Sequence, residues 1–247
     1  MAIRIGQSSK RFIGSFFVAF FILATTSLAD ENKLVRAEDY KNFWLWAGVK
    51  PHPALKQADE IYILAGEVSR HRPPRIFSQR SAIPKVIGSK IWIVYRVQSI
   101  AWNDDTFKEV LRQVEVWKAN GNRLAGLQID FDAGSKNLEN YSRFLAEVRA
   151  ALPREYALSV TGLLDWTVNG NAADFDALAS VVDEIVLQIY QGRKVIPGYE
   201  HYLKEIASMK MPFRIGLLQG GPWQAPPELA ANPYFKGYVV FLLNEVD

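Results

Sequence analysis

Two carboxylates, Asp130 and Asp132, close the segment Leu124–Asp132, and a third polar residue, Gln128, shares their parity. Apolar and polar residues alternate through this stretch, so it reads as a β-strand. Gln128, Asp130 and Asp132 then face one side, and Leu127, Ile129 and Phe131 the other. Two like charges this close raise each other's cost of ionisation. One can keep its proton near neutrality while the other stays charged. Such a pair suits glycoside cleavage, in which the leaving oxygen is protonated and positive charge on the sugar ring is stabilised. A structural role is the alternative, with the carboxylates accepting bonds from loop N–H groups or from Arg96.

The elements around this strand set its place. Strand-like segments cover Asn42–Gly48, Ile61–Val68, Lys90–Val97, Leu124–Asp132, Tyr156–Leu164, Glu184–Tyr190, Phe213–Leu218 and Gly237–Leu243. Helical spacing predicts a helix over Asp104–Asn120, capped by Asn103 or Asp104 and ended by Gly121. A second helix is expected over Leu138–Leu152, stopped by Pro153. Ala172–Val182, Tyr199–Met209 and the short Pro226–Ala231 fill the later gaps. Eight such units predict a compact α/β fold, the parallel (β/α)8 TIM barrel. The first two units are degenerate, and no helix is expected after the eighth strand. A doubly wound open sheet is the rival architecture.

Barrel enzymes carry their chemistry at the C-terminal ends of the strands. Trp46, Glu67, Asp165, Trp166, Gln188, Tyr190 and Trp223 fall there together with the Asp130 and Asp132 pair. Trp46, Trp166 and Trp223 are candidate stacking surfaces for sugar rings, although rim tryptophans also serve packing. Gln188 and Tyr190 share the inward parity of the sixth strand and are candidate ligand contacts, or internal partners for Asp130. Gln128 is a further candidate contact. Glu67 and Asp165 are possible second carboxylates, or rim and cap residues.

Other chemistries fare worse. The chain has no cysteine, so thiol nucleophiles, disulfides and thiolate metal sites are excluded. His52, His71 and His201 lack metal-ligand spacing, and neither a nucleophile elbow nor a phosphate-binding glycine loop is present. No cofactor is expected. Asp130-Phe131-Asp132 would suit a divalent cation only beside a nucleotide site, which the sequence does not offer. Residues 70–90 hold six Lys or Arg and no acid; a solvated face, an anionic glycan or a membrane surface are the readings of such a run.

Residues 1–29 read as a secretory signal peptide. Arg4, Lys10 and Arg11 precede the apolar run Phe12–Ala24, and Ser27-Leu28-Ala29 offers a cleavage site. Retention as an N-terminal anchor is the alternative. Cleavage leaves residues 30–247 as one barrel domain without a membrane span, exported to a bacterial periplasm or secreted. The leader holds three of the 29 basic residues and none of the 26 acidic ones. The rest is therefore charge-balanced, which argues against nucleic acid and leaves a carbohydrate as the expected ligand.

The residues Ala125-Gly126-Leu127-Gln128-Ile129-Asp130-Phe131-Asp132 resemble the fourth-strand signature D-G-x-D-x-D-x-E of chitinase-like (family 18) glycoside hydrolases. Gln188-Ile189-Tyr190 resembles their sixth-strand tyrosine motif. With Phe43-Trp44-Leu45-Trp46 and Leu187–Gly192, the chain also resembles an uncharacterised bacterial family of exported barrels near those hydrolases. The resemblance implies that Asp130 supports a substrate acetamido group and that Asp132 stands in the place of the general acid. Ala125 and Gln128 replace two signature aspartates, and Asp132 is one methylene shorter than the family's Glu. A misplacement of about 1 Å can cost about 100-fold in rate. The resemblance thus implies either a glycosidase-like hydrolase or a non-catalytic glycan-binding barrel, with an envelope scaffold as the third reading.

Overall fold

The structure is a computed structural model that describes residues 33–166, 172–206 and 209–244. The leader, the turn at residues 167–171 and Glu245 lie outside the described residues. Eight parallel strands form the sheet: β1 (Asn42–Leu45), β2 (Glu60–Val68), β3 (Lys90–Val97), β4 (Arg123–Asp130), β5 (Ala157–Leu163), β6 (Glu184–Gln188), β7 (Phe213–Leu218) and β8 (Phe235–Phe241). β1 pairs with β2 through Trp44 and Tyr62, and with β8 through Phe43 and Val240. The sheet therefore closes, and the (β/α)8 TIM barrel expected from the sequence holds; the open sheet does not.

Outside it lie α1 (Asp104–Ala119), α2 (Leu138–Ala151), α3 (Ala172–Ala179), α4 (Tyr199–Ile206) and the single turn α5 (Pro227–Ala231). Asn103 caps α1, its side chain accepting from Thr106 N–H at 3.0 Å. Gly121 ends it at φ +86°, a conformation costly for any residue with a Cβ. The first two connections, degenerate in sequence, carry no α-helix among the described residues. The first holds only the 3-10 turn Pro53–Gln57. The second is a long excursion, residues 69–89, whose strand Ile76–Ser78 pairs antiparallel with β2. Arg80 ties it down by donating to the carbonyls of Leu45 (2.7 Å) and Trp46 (3.2 Å) at the end of β1 and of Leu64 (3.1 Å) within β2.

One apolar cluster lies between strands and helices, built from residues such as Phe43, Ile63, Ile93, Leu127, Val160 and Ile215. A second fills the barrel, where Trp44, Tyr62 and Trp92 dominate. The rings of Tyr62 and Trp92 stack at 5.3 Å and 4°, and Trp44 meets Tyr62 edge-on. Glycines make room for them. A Cβ on Gly126 would sit 1.9 Å from the Ala157 carbonyl and 2.8 Å from the Trp92 ring; one on Gly216 would sit 2.7 Å from Trp44.

Polar groups bind the same interior together. Trp44 Nε1 donates to Gln128 Oε1 at 2.6 Å, Gln128 Nε2 to Ser159 Oγ at 3.0 Å, and Ser159 Oγ to Glu184 Oε1 at 3.2 Å. Tyr62 also donates to Glu184 (2.8 Å), and Arg214 bridges Glu184 (2.7 Å) and Glu60 (3.3 Å). Glu60 and Glu184 begin their strands, so this charged layer seals the end of the barrel opposite the strands' C-termini. Barrel active sites sit at the other, C-terminal face, so this layer serves stability. Among the described residues no helix is long and apolar enough to cross a membrane.

Candidate active site

Asp130 is the last residue of β4 and is buried, with 8% of its surface exposed. Thr161, on β5, donates its hydroxyl to Asp130 Oδ1 at 2.8 Å. Burial raises this carboxyl to about 6, and the charge of Asp132 pushes in the same direction. The Thr161 bond and the Arg96 guanidinium offset part of the rise.

Asp132 lies two residues beyond the strand and is exposed. The alternation in the sequence predicts a strand through Asp132; the ladder instead ends at Asp130, and a tight turn follows in which Ala133 N–H donates to Phe131 O at 2.7 Å. Trp166 pins that turn by donating its indole N–H to the Ala133 carbonyl at 2.5 Å. The turn leads through Ser135–Asn137 into α2. Among the described residues Asp132 has no hydrogen-bond partner.

Asp130 and Asp132 both line a cleft of about 720 Å³ at the C-terminal mouth of the barrel. Trp46, Asp165, Gln188 and Tyr190 line it too, so six expected site residues meet there. Tyr190 begins a short hairpin, Tyr190–Gln191 with Lys194–Val195, turned by Gly192 at φ +59°. Its ring meets Trp44 edge-on at 6.4 Å. Its hydroxyl is buried without a partner at hydrogen-bonding geometry. Burial and then the Asp130 charge hold it well above the usual tyrosine value, while the Gln188 amide offsets part of this. Asp165 Oδ1 is likewise buried and unpartnered. Such atoms are uncommon in folded proteins and mark places where a ligand or water completes the bonding.

Four of the expected residues do not line the cleft. Gln128 is fully buried with its amide spent on Trp44 and Ser159, so it holds the barrel rather than a ligand. Trp166 is fully buried and offers no face to a sugar; its work is to pin the Asp132 turn. Trp223 is 7% exposed, stacks on Tyr199 at 5.5 Å and pairs with Lys33 in a two-stranded ribbon away from the cleft. Glu67 is engaged by the Gln98 amide and does not line the cleft.

Two contributors escaped sequence reading. Tyr141, on α2, is fully buried against Phe131 and Trp166, with its hydroxyl unpartnered. Burial, then Asp130 and Asp132, keep that phenol well above its usual value. Its only signal was a hydroxyl within the otherwise apolar stripe of α2. Arg193, at the hairpin tip, lines the cleft and gave no signal of its own. Among the described residues no group of three His, Asp or Glu could hold a metal ion.

The closed sheet, with the aspartate pair at the end of β4 and the tyrosine after β6 at one mouth, defines a (β/α)8 TIM barrel whose candidate site lies at the strands' C-terminal ends. Residues 97–199 match the family model of a domain of unknown function, DUF3142, so the expected likeness to an uncharacterised family holds. No curated protein matches the chain. Among solved structures, a chitinase from Bacteroides thetaiotaomicron is similar at 17% identity and a TM-score of 0.53, over 71% of this chain and 66% of that one. The xylanase and alpha-amylase inhibitor protein XAIP-II from Scadoxus multiflorus is similar at 11% identity and 0.53, over 81% and 92%. The Bacillus cereus spore cortex-lytic enzyme SleL matches at 17% identity and 0.47; 74% of this chain is covered, and the chain spans about half (53%) of SleL. At these identities the likeness is one of fold.

Proposed function

We propose that the protein is a glycoside-hydrolase-like barrel that acts on a polysaccharide or glycoconjugate by carboxylate general-acid catalysis. The observation that carries this reading is the Asp130 and Asp132 pair at the mouth of an open cleft, the inner carboxyl raised to about 6. Asp132 is the proton donor, exposed at the mouth where a glycosidic oxygen can reach it. Asp130 is its charge partner and orients the substrate. Above about pH 6 Asp130 is ionised, and its carboxylate then stabilises the positive charge that builds on the sugar ring. Tyr190 and Gln188 supply polar contacts and Trp46 a stacking face. Among the described residues Asp165 is the one other carboxylate lining this cleft, and so the candidate second carboxylate for a two-carboxylate route. Residues 1–29 act as the export signal, and residues 30–247 work as a single domain outside the cytoplasm.

One observation favours a second reading, a glycan-binding barrel without catalysis. Asp132 is exposed, sits beyond the strand and has no described partner to aim its carboxyl. A screen of glycan binding and hydrolysis by the purified protein, beside Asp132→Asn, separates the two. Turnover lost in the variant supports catalysis. Binding without turnover in both proteins supports the binding barrel, and neither activity would overturn the glycan reading.

A further inference from the structure

The main cleft adjoins a second hollow of about 340 Å³, and Arg96, Asp130 and Asp132 line both. Arg70 lines the second hollow and Arg193 the first. The aspartate pair is thus flanked on either side by an exposed guanidinium, with a third between. These side chains are not consumed by the fold. Arg36, Arg112, Arg149 and Arg214 are in ion pairs, and Arg80 caps strand carbonyls. Arg96 and Arg193 make neither a hydrogen bond nor an ion pair with the described residues. Arg70 spends only Nε, donated to the Gln98 carbonyl at 3.2 Å, which leaves its two terminal nitrogens free of described partners.

A neutral sugar needs no such groups. The charge of Arg96 acts on Asp130, but among the described residues none of the three is within ion-pair distance of a carboxylate, so their N–H donors are left for a ligand. Guanidinium is the cation best shaped for carboxylates, which it binds through two parallel N–H donors. The basic run continues the pattern outward. Residues 70–90 hold six Lys or Arg and no acid. The strand Ile76–Ser78 fixes the first half of that excursion to the C-terminal end of β2, so Arg70, Arg72 and Arg75 stand on the mouth side, while Lys85 and Lys90 lie toward the strands' N-terminal ends.

We propose that the cleft recognises a carboxylate-bearing glycan, with Arg96 at its centre and Arg70 and Arg193 on either side reading successive acidic groups. The inference rests on the glycan reading above and narrows its substrate class. Both ring carboxylates, as in uronic acids, and lactyl ether carboxylates, as in muramyl sugars, carry the required chemistry.

The test is direct binding of the purified protein to oligogalacturonate, to muramyl-containing glycan strands and to neutral chitin oligosaccharide of matched length, with polyglutamate as a non-sugar polyanion. At least one acidic glycan is expected to bind about tenfold or more tightly than the neutral one, the gain of a charge-assisted bond. The better of the two identifies the source of the carboxylate. The triple variant Arg70→Gln, Arg96→Gln, Arg193→Gln should lose that preference and keep its thermal transition, since all three side chains are exposed. Equal affinity for acidic and neutral glycans would overturn the inference and leave the glycan reading standing. So would a folded triple variant with its preference intact, or polyglutamate bound as tightly as the sugars. Binding to no glycan at all would overturn both.

Discussion

Thr161 gives Asp130 its one hydrogen bond from a described side chain, at 2.8 Å, and that bond does not compensate for burial: the carboxyl rises from 3.8 to about 6. The fold holds a proton on Asp130 that the unfolded chain would release. Stability from this group is full below about pH 4 and is lost as pH rises through about 6. Burial of this carboxylate at neutral pH is therefore a cost, on the order of 3 kcal/mol. Asp130→Asn keeps an acceptor for Thr161 and removes that cost. The variant should be more stable than the parent at pH 7.5 by up to about 3 kcal/mol, with little difference at pH 4. Chemical denaturation at the two pH values checks this; a variant less stable at pH 7.5 refutes it. A carboxylate retained against stability at a barrel mouth is what a functional role leaves behind.

Asp132→Asn separates chemistry from fold. The residue is exposed and unpartnered, so stability should move by no more than about 0.5 kcal/mol. The transferable proton is gone, and any glycosidase rate should fall on the order of 100- to 10,000-fold while glycan affinity persists. A rate unchanged in Asp132→Asn would move the acid role to another carboxyl.

At the closed end of the barrel, Arg214 joins Glu184 and Glu60 with all three side chains largely buried. Arg214→Met leaves two acidic side chains without their cation, and should destabilise the protein by about 3–5 kcal/mol. The double variant Arg214→Met, Glu184→Gln should recover part of the loss, because one stranded charge is removed with it. Denaturation of the parent, the two single variants and the double closes the cycle. Additive losses would show that the pair is not coupled.

The barrel was readable because each strand advertises itself locally, through alternation and flanking turn residues. The closing layer of Glu60, Glu184 and Arg214 was not, since its members come from three strands with no spacing in common. Register was hidden too. Ala125 and Ala65 are extra residues in bulged ladders, between Ile91 and Trp92 on one side and Leu64 and Gly66 on the other. Ala125, which stands at the first position of the signature, is thus an irregularity of pairing. Gly126 at the next position answers to packing, since its Cβ would collide with the Ala157 carbonyl and the Trp92 ring. Gly126→Ala should leave little folded protein. A soluble, cooperatively unfolding Gly126→Ala would show that the strands part more easily than this contact implies.

Strand-end position marked Trp46 and Trp166 alike, and only depth tells them apart. Trp46 is partly exposed, lines the cleft and leans on Phe241 at 5.5 Å. Trp166 is fully buried, and its indole N–H holds the Ala133 carbonyl one residue after Asp132. Trp46→Ala removes a stacking face and should weaken glycan binding by about tenfold, the order of one aromatic contact, with the fold intact. Trp166→Ala opens a core cavity and frees the Asp132 turn, at a cost of about 3–5 kcal/mol in stability. Trp166→Phe fills most of the cavity without restoring the bond. It should regain much of that stability while turnover stays depressed, because the carboxyl is no longer held in place. Thermal melts beside glycan titrations of the three variants decide the matter. If Trp166→Phe recovers turnover along with stability, Trp166 contributes bulk alone; if Trp46→Ala binds as tightly as the parent, the sugar lies elsewhere in the cleft.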